Sequence, residues 1–203
     1  MKKHKVTSKV LNIDSSSALF LDRDGVINRR LPGTYVRDIR EFEFLPGVLE
    51  AVRILSGIFP YVFVVTNQQG IGKGFMTEAA LNRLHAYMLE EIERHGGRID
   101  KIYFAPQLEA ENHIMRKPNP GMAFAALRDF PGVDLSRSIM VGDSPSDMLF
   151  GVNAGMQNVL ISEVEPQDKD IPYLLRFNSL YEFARYLSGD VQENRSHIAK
   201  QTR

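Results

Sequence analysis

Short apolar runs alternate along this chain with longer segments of helical periodicity. Five runs rich in Val, Ile, Phe or Tyr have the character of buried strands, and they end at Asp22, Thr66, Pro106, Asp143 and Ser162. Between them, apolar residues recur with the helical period, which predicts helices over residues 46–58, 77–95, 121–130 and 146–154. The pattern therefore predicts an α/β fold in which strands and helices alternate.

Buried strands that are joined by helices pair in parallel through right-handed crossovers. We therefore expect a doubly wound, Rossmann-like open parallel sheet with helices on both faces. The domain should span residues 18–187, between loosely ordered polar segments at 1–17 and 188–203. Open sheets of this kind bind ligands at the carboxyl ends of their strands, so the residues that end the strands are the candidates for chemistry.

Composition narrows the class of protein. The 203 residues are 43% hydrophobic, as expected of one globular domain. Lys plus Arg and Asp plus Glu both total 25, and this zero net charge argues against partners such as nucleic acid or an anionic membrane. Cysteine is absent, which excludes thiol catalysis and disulfides. Since no apolar run suits a signal peptide or a membrane span, we expect a cytoplasmic protein, monomeric by default.

Carboxylates end two of the predicted strands. The segment LDRDGVIN places Asp22 and Asp24 at the end of the first strand, with Gly25 permitting a sharp turn. The segment VGDSPSD places Asp143 at the end of another strand and Asp147 at a helix start. Each pattern alone also fits a turn or a helix cap. Together they predict an oxygen-rich site, which suits Mg²⁺.

Phosphate-binding groups are predicted at the same edge of the sheet. The segment TNQQGIGKG offers the Thr66 hydroxyl, the amide of Asn67 and a glycine-spaced loop whose N–H groups can point at an anion. In MRKPNPGM, Lys117 precedes two prolines that stiffen the approach to a helix. Each motif is common by itself, but their order at the ends of successive strands favours one site.

The four motifs resemble those of the haloacid dehalogenase superfamily. Within it, the segments FLDRDGVIN, VVTNQQGIGKG, RKPNPGM, VGDSPSDM and EFEFLPGV are similar to the branch of D-glycero-D-manno-heptose 1,7-bisphosphate phosphatases and histidinol phosphatases. The resemblance implies a Mg²⁺-dependent phosphatase with Asp22 as the nucleophile. Asp24, whose side chain is free, would protonate the leaving oxygen and then take a proton from water.

The resemblance also implies roles for the other candidates. Asp22, Asp143 and the main-chain oxygen of Asp24 would bind Mg²⁺, with Asp147 behind these ligands. The groups that surround the substrate are expected to be Thr66, the amide of Asn67 and Lys117 at the phosphoryl oxygens, and Arg116 at the rest of the molecule.

Two features depart from the branch. Many of its members carry a zinc loop of three cysteines and one histidine, whereas APQLEAENHIMRKP supplies only His113, so we expect no zinc. Ser144 stands where close heptose enzymes have a lysine. No domain-sized insertion separates Gly25 from Thr66 or Thr66 from Lys117, so we expect no cap domain.

The favoured function is therefore hydrolysis of a small phosphorylated sugar, the 7-phosphate of a heptose 1,7-bisphosphate. Histidinol phosphate is the alternative substrate. Polynucleotide 3′-phosphatases have a similar threonine loop, but the zero net charge and the lack of a basic, aromatic-rich tract argue against a nucleic-acid channel. The presence of both Asp22 and Asp24 argues against a non-catalytic phosphate-binding relative.

Overall fold

The computed structural model describes residues 11–168 and 170–189. The strands are β1 (Ala18–Leu21), β2 (Tyr61–Asn67), β3 (Lys101–Ala105), β4 (Ile139–Gly142), β5 (Gln157–Ile161) and β6 (Leu175–Phe177). The α-helices are α1 (Val48–Ile58), α2 (Glu78–Arg94), α3 (Gly121–Asp129), α4 (Pro145–Asn153) and α5 (Leu180–Ser188). Short 3₁₀ turns occur at Ile39–Glu41, Glu109–Glu111 and Leu135–Arg137.

The six strands form one parallel sheet in the order β3-β2-β1-β4-β5-β6. Phe20 of β1 is paired with Phe63 of β2 on one side and with Met140 of β4 on the other. The order reverses between β1 and β4, which makes their carboxyl ends the expected ligand crevice. The predicted Rossmann-like fold is thus confirmed.

Helices cover both faces of the sheet because successive strand residues point to opposite sides. Leu19 and Leu21 belong to a core that includes buried residues of α1, α2 and α5. Phe20 and Phe63 belong to a second core that includes residues of α3 and α4. Since both faces are buried, the strands read as continuous apolar runs rather than as alternating ones.

Two elements lie beyond the predicted set. Strand β6 has only three residues, and helix α5 follows it with Ser179 as its N-cap, the Ser179 hydroxyl accepting from the Glu182 N–H at 3.1 Å. Leu180 and Phe183 of α5 are buried in the core shared with α1. A strand this short gives too few apolar positions for a period to be recognised.

The described part of the N-terminal segment packs on the domain. Leu11 is 4% exposed and belongs to the core, and Ser17 is fully buried. Asp14 forms a 3.0 Å ion pair with Arg137, and the Asp134 N–H donates to the Ser16 carbonyl at 2.9 Å. Packed structure therefore begins ahead of the expected boundary at residue 18. The remainder of the predicted tails, residues 1–10 and 190–203, lies outside the described residues.

The segments around the predicted site are short. Residues 22–47 and 68–77, all of them described, form loops with one 3₁₀ turn and hold no further domain. Loops therefore shape the mouth of the crevice. Among the helices of the described ranges, none is long and apolar enough to cross a membrane.

Candidate active site

The predicted residues gather at the carboxyl edge of β1, β2 and β4, around an open pocket of about 520 Å³. Those that line it are Asp22, Asp24, Thr66, Asn67, Arg116, Lys117 and Asp147. Asp143 lies beside the pocket, with a carboxylate oxygen within 4.8 Å of oxygens of Asp22 and Asp147. The strand-end motifs thus form one site, in the size range of small-molecule pockets.

A buried lysine connects two of the carboxylates. Lys117 is 3% exposed, and its Nζ lies 2.8 Å from Asp22 Oδ1 and 2.6 Å from Asp147 Oδ1. The same ammonium donates to the Val65 carbonyl of β2 at 2.9 Å. Burial opposes the charge on Lys117, but the Asp147 and Asp22 carboxylates outweigh it and raise the pKa of the ammonium. Lys117 is therefore a fixed positive charge beside Asp22.

The carboxylates nevertheless outnumber the buried positive charge. Burial, and next the charge of Asp147, raises the pKa of Asp22, while burial and the charge of Asp22 raise the pKa of Asp143. A cation placed between Asp22 and Asp143 would relieve both effects. The electrostatics of the site therefore favour a bound metal ion.

Arg30 shows that the three predicted metal ligands converge. Its Nη2 lies 2.7 Å from Asp143 Oδ1, 3.0 Å from the main-chain oxygen of Asp24 and 3.9 Å from Asp22 Oδ2. One guanidinium nitrogen thus lies near two carboxylates and one carbonyl. These are the hard oxygen donors that Mg²⁺ prefers. These residues fit a magnesium ion at the position that the Arg30 guanidinium takes.

A sharp turn after β1 allows this convergence. Gly25 has a φ of 100°, a conformation that side-chain-bearing residues rarely adopt. A Cβ atom at this position would also collide with the Asp143 carboxylate. Both constraints require glycine here, as the turn predicted from sequence implied.

The side chain of Asp24 is not free, contrary to the expectation from sequence. Arg23 Nη2 contacts both of its oxygens, at 2.9 and 2.8 Å, and Asn28 and Gln68 each donate to one oxygen at 2.9 Å. Burial favours the neutral carboxyl, but Arg23 and then the hydrogen bonds from Asn28 and Gln68 outweigh it and lower the pKa of Asp24. In this arrangement Asp24 is a carboxylate that can accept a proton.

The end of β2 contributes one hydroxyl and one positioning side chain. Thr66 is 1% exposed, and its Oγ1 accepts a hydrogen bond from Gln68 Nε2 at 2.8 Å. Asn67 binds the backbone of Lys117 with both ends of its carboxamide, through two hydrogen bonds of 3.0 Å. The Asn67 side chain therefore holds the segment that carries Lys117, and the contact of an Asn67 amide with phosphate stays a prediction.

Asp147 stabilises the start of α4 as well as Lys117. Its Oδ2 accepts from the N–H groups of Asp143 and Ser144, at 3.2 and 3.0 Å, and from the Ser144 hydroxyl at 2.6 Å. The capped helix start is therefore confirmed, while the role of Asp147 behind the metal ligands stays a prediction. Arg116 lies at the pocket wall and donates to the Gln107 carbonyl at 3.3 Å.

Several residues of the site were missed from sequence. Arg30, Lys73 and Gln68 line the pocket or contact its carboxylates, and Arg23 lies behind Asp24. Arg23 could have been placed by alternation, since it follows Asp22 and should point to the opposite face. No pattern marks the loop residue Arg30, whose contact with Asp143 spans 113 positions of the chain.

Known proteins share both the sequence and the fold. The chain matches the family described as HAD-hyrolase-like over residues 114–171. A D-glycero-alpha-D-manno-heptose-1,7-bisphosphate 7-phosphatase of Mycobacterium bovis is 38% identical over 168 residues, covering 82% of this chain and 88% of that protein. A D-glycero-beta-D-manno-heptose-1,7-bisphosphate 7-phosphatase of Rhodopseudomonas palustris is 39% identical over 146 residues, or 68% and 79% of the two chains.

A solved structure extends the likeness to the fold. The D,D-heptose 1,7-bisphosphate phosphatase from B. bronchiseptica, complexed with magnesium and phosphate, superposes with a TM-score of 0.76 at 28% identity. The match covers 86% of this chain and 99% of the other. The fold and the relatives together identify this chain as a phosphatase, a hydrolase of phosphoric monoesters. The chain belongs to the haloacid dehalogenase superfamily and, within it, to the family of the D-glycero-D-manno-heptose 1,7-bisphosphate 7-phosphatases.

Proposed function

We propose that this chain removes the 7-phosphate of D-glycero-D-manno-heptose 1,7-bisphosphate through an aspartyl phosphate on Asp22, with Mg²⁺ as cofactor. The observation that carries the proposal is the convergence of Asp22, Lys117 and Asp143 around one pocket, in a chain whose relatives bear this name. The substrate is a small molecule, in keeping with the size of the pocket.

In the first half-reaction Asp22 is the nucleophile. Its Oδ1 is held by Lys117 at 2.8 Å and by the Arg23 N–H at 2.7 Å. An oxygen of Asp22 attacks phosphorus, the bond from phosphorus to the sugar oxygen breaks, and protonated Asp24 gives its proton to that oxygen. The negative charge of a bound phosphate would oppose ionisation of the neighbouring Asp24 and so favour its protonated form at this step.

In the second half-reaction Asp24 is the base. It takes a proton from water, the water oxygen attacks the phosphorus of the aspartyl phosphate, and the bond from phosphorus to Asp22 breaks. Phosphate leaves, and Asp22 is again a carboxylate beside Lys117. Thr66 and Lys117 offer a hydroxyl and an ammonium to the phosphoryl oxygens during both steps.

Asp22, Asp143 and the main-chain oxygen of Asp24 are the residues that would hold Mg²⁺, as their shared contact with Arg30 supports. When bound, the ion supplies positive charge that offsets the repulsion between the Asp22 carboxylate and the phosphate. That the 106–115 loop binds no zinc stays a prediction. It is supported by His113, whose Nδ1 accepts from the Met115 N–H at 3.2 Å.

The charge of the pocket favours a bisphosphate over histidinol phosphate. Lys117 and Arg30 are paired with carboxylates of the site, whereas Lys73 and Arg116 line the pocket with no carboxylate partner among the ion pairs of the described residues. Lys73 Nζ also lies 5.6 Å from the centre of the Tyr35 ring, which holds it near the mouth. These charges suit a second phosphate group and oppose the ammonium of histidinol phosphate.

The test is release of phosphate from both anomers of the heptose 1,7-bisphosphate, from histidinol phosphate and from a 3′-phosphorylated oligonucleotide, with Mg²⁺ and with EDTA. We expect Mg²⁺-dependent turnover of one or both heptose anomers, loss of turnover in Asp22→Asn, and retention in the control Asp170→Asn, since Asp170 is exposed and outside the pocket lining. Preference for histidinol phosphate or for a 3′-phosphorylated oligonucleotide would overturn the proposed substrate. Full activity in Asp22→Asn would overturn the mechanism.

A further inference from the structure

A wholly buried arginine lies between the two aspartates of the first motif. Arg23 has no exposed surface, and its guanidinium contacts His85 of α2, whereas the neighbouring Asp22 contacts Lys117. Its Nη2 contacts both oxygens of Asp24. Since a buried guanidinium requires partners for its charge and its donors, this contact fixes Asp24 and Arg23 together.

The other end of the guanidinium meets a histidine of α2. Arg23 Nη1 lies 3.2 Å from His85 Nε2, and His85 is 5% exposed. Arginine can only donate, so Nε2 must be the acceptor and the ring proton lies on Nδ1. Burial, and next the charge of Arg23, lowers the pKa of His85 to about 3, so the imidazole stays neutral and able to accept.

Few groups fix the guanidinium plane. The Arg23 Nε–H has no hydrogen-bond partner within the described part of the chain. Asp24 and His85 therefore hold the two ends of the group. Without an acceptor at His85, Nη1 would be a buried unpaired donor, and the guanidinium would be free to tilt away from the geometry that contacts both Asp24 oxygens.

We propose that His85 is a positioning residue for the reaction, which acts through Arg23 to hold the Asp24 carboxyl at the pocket wall in the orientation that exchanges a proton with the leaving oxygen. This inference rests on the role proposed for Asp24. The chain from α2 to the pocket runs His85, Arg23, Asp24, with no contact between His85 and the pocket lining other than through Arg23 among the described hydrogen bonds.

The effect of losing His85 is expected to be partial. Asn28 and Gln68 also donate to Asp24 at 2.9 Å, so the carboxyl keeps two of its supports. Loss of an outer partner of this kind lowers activity by about 10- to 100-fold. We expect activity to fall only with substrates whose leaving oxygen needs a proton from Asp24.

The experiment compares His85→Leu, which removes the acceptor, with His85→Gln, whose carboxamide oxygen can replace Nε2. Each is assayed for kcat/KM with the alkyl phosphate that the wild type hydrolyses best and with p-nitrophenyl phosphate, whose leaving group needs no proton. Because kcat/KM reports the steps up to cleavage of the ester, only the alkyl phosphate depends on Asp24 as an acid. If His85→Leu does not fold, His85→Asn replaces it, since its oxygen is too far back to reach Arg23.

We expect the Leu or Asn variant to lose about 10- to 100-fold with the alkyl phosphate and at most a few-fold with p-nitrophenyl phosphate. The Gln variant should stay within a few-fold of the wild type on both. An equal loss on both esters, or no loss on either, would refute the positioning role while leaving the proposed function intact. Failure of the wild type to hydrolyse any monoester would instead refute the proposed function and this inference with it.

Discussion

Acid should destabilise the folded chain through His85, and His85→Gln should reduce that sensitivity. The pKa of the imidazole is lowered from 6.5 to about 3 in the folded chain. Between these values the unfolded chain binds a proton that the folded chain does not. The stability that comes from keeping His85 neutral is therefore complete above about pH 6.5 and is lost as the pH falls toward 3.

The magnitude follows from the same two values. At pH 5 an imidazole with a pKa of 6.5 is almost fully protonated when unfolded, which lowers the free energy of unfolding by about 2 kcal/mol relative to pH 7. Glutamine does not titrate, so the drop between pH 7 and pH 5 should be about 2 kcal/mol smaller in His85→Gln. Carboxylates that titrate in this range change the free energy of unfolding of both proteins equally. Their effect therefore cancels when the wild type and His85→Gln are compared.

Urea unfolding at the two pH values, followed by far-UV circular dichroism, measures this difference directly. The exposed His95, whose Nδ1 lies 2.8 Å from the Glu91 carbonyl, provides the control. His95→Gln should keep the acid sensitivity of the wild type. An equal drop in stability for the wild type and His85→Gln would refute the reasoning that the imidazole is buried as a neutral acceptor.

Three further predictions concern the pocket. Asp22→Asn should abolish turnover with no loss of fold, measured by phosphate release and circular dichroism, since the change is nearly isosteric. Lys117→Met should lower the free energy of unfolding by about 3–5 kcal/mol in urea, because it strands the buried Asp22 and Asp147 carboxylates without their cation. Arg30→Gln should bind Mg²⁺ about two- to fivefold more tightly by calorimetry, because the half-exposed guanidinium and the ion compete for the same oxygens.

Each of these three predictions has a control variant or a result that would contradict it. Near-normal turnover by Asp22→Asn would exclude Asp22 as the nucleophile. Unchanged stability of Lys117→Met would mean that the two carboxylates take up protons or water at little cost. For Arg30, the neighbour Arg29 pairs with Glu43 at 2.8 Å outside the metal ligands, so Arg29→Gln should leave the affinity for Mg²⁺ unchanged. Weaker binding in Arg30→Gln would show that the arginine assists the ion.

The convergence of the strand-end motifs could be predicted from sequence because it follows from topology. Parallel strands bring their carboxyl ends to one edge, so Asp22 and Asp143 had to meet once β1 and β4 were recognised as neighbours. The side-chain contacts could not be predicted in this way. Whether the Asn67 carboxamide faces phosphate or the backbone of Lys117 depends on where a loop 50 positions away returns.

The contacts around Asp24 could not be predicted from sequence for a related reason. A buried Arg23 is consistent with strand alternation, but its partner His85 is 62 positions away on α2 and is one of several residues on that helix that face the core. The position of Arg30 depends on the path of an irregular loop, for which neither period nor propensity gives a direction. Sequence patterns locate elements, whereas the donors and acceptors of a buried network are matched only by the packed structure.

The separation of the central strands from the loops at the mouth has a consequence for protein engineering. Asp22 and Asp143 are fixed by β1 and β4, and Lys117 is anchored to β2 through Val65. Residues 31–36 of one loop and Gln69 and Lys73 of another line the opening without supplying any of these groups. Randomised libraries confined to these two loops should therefore redirect the protein toward other monoesters while the reacting centre stays intact, which makes the chain a natural scaffold for directed evolution.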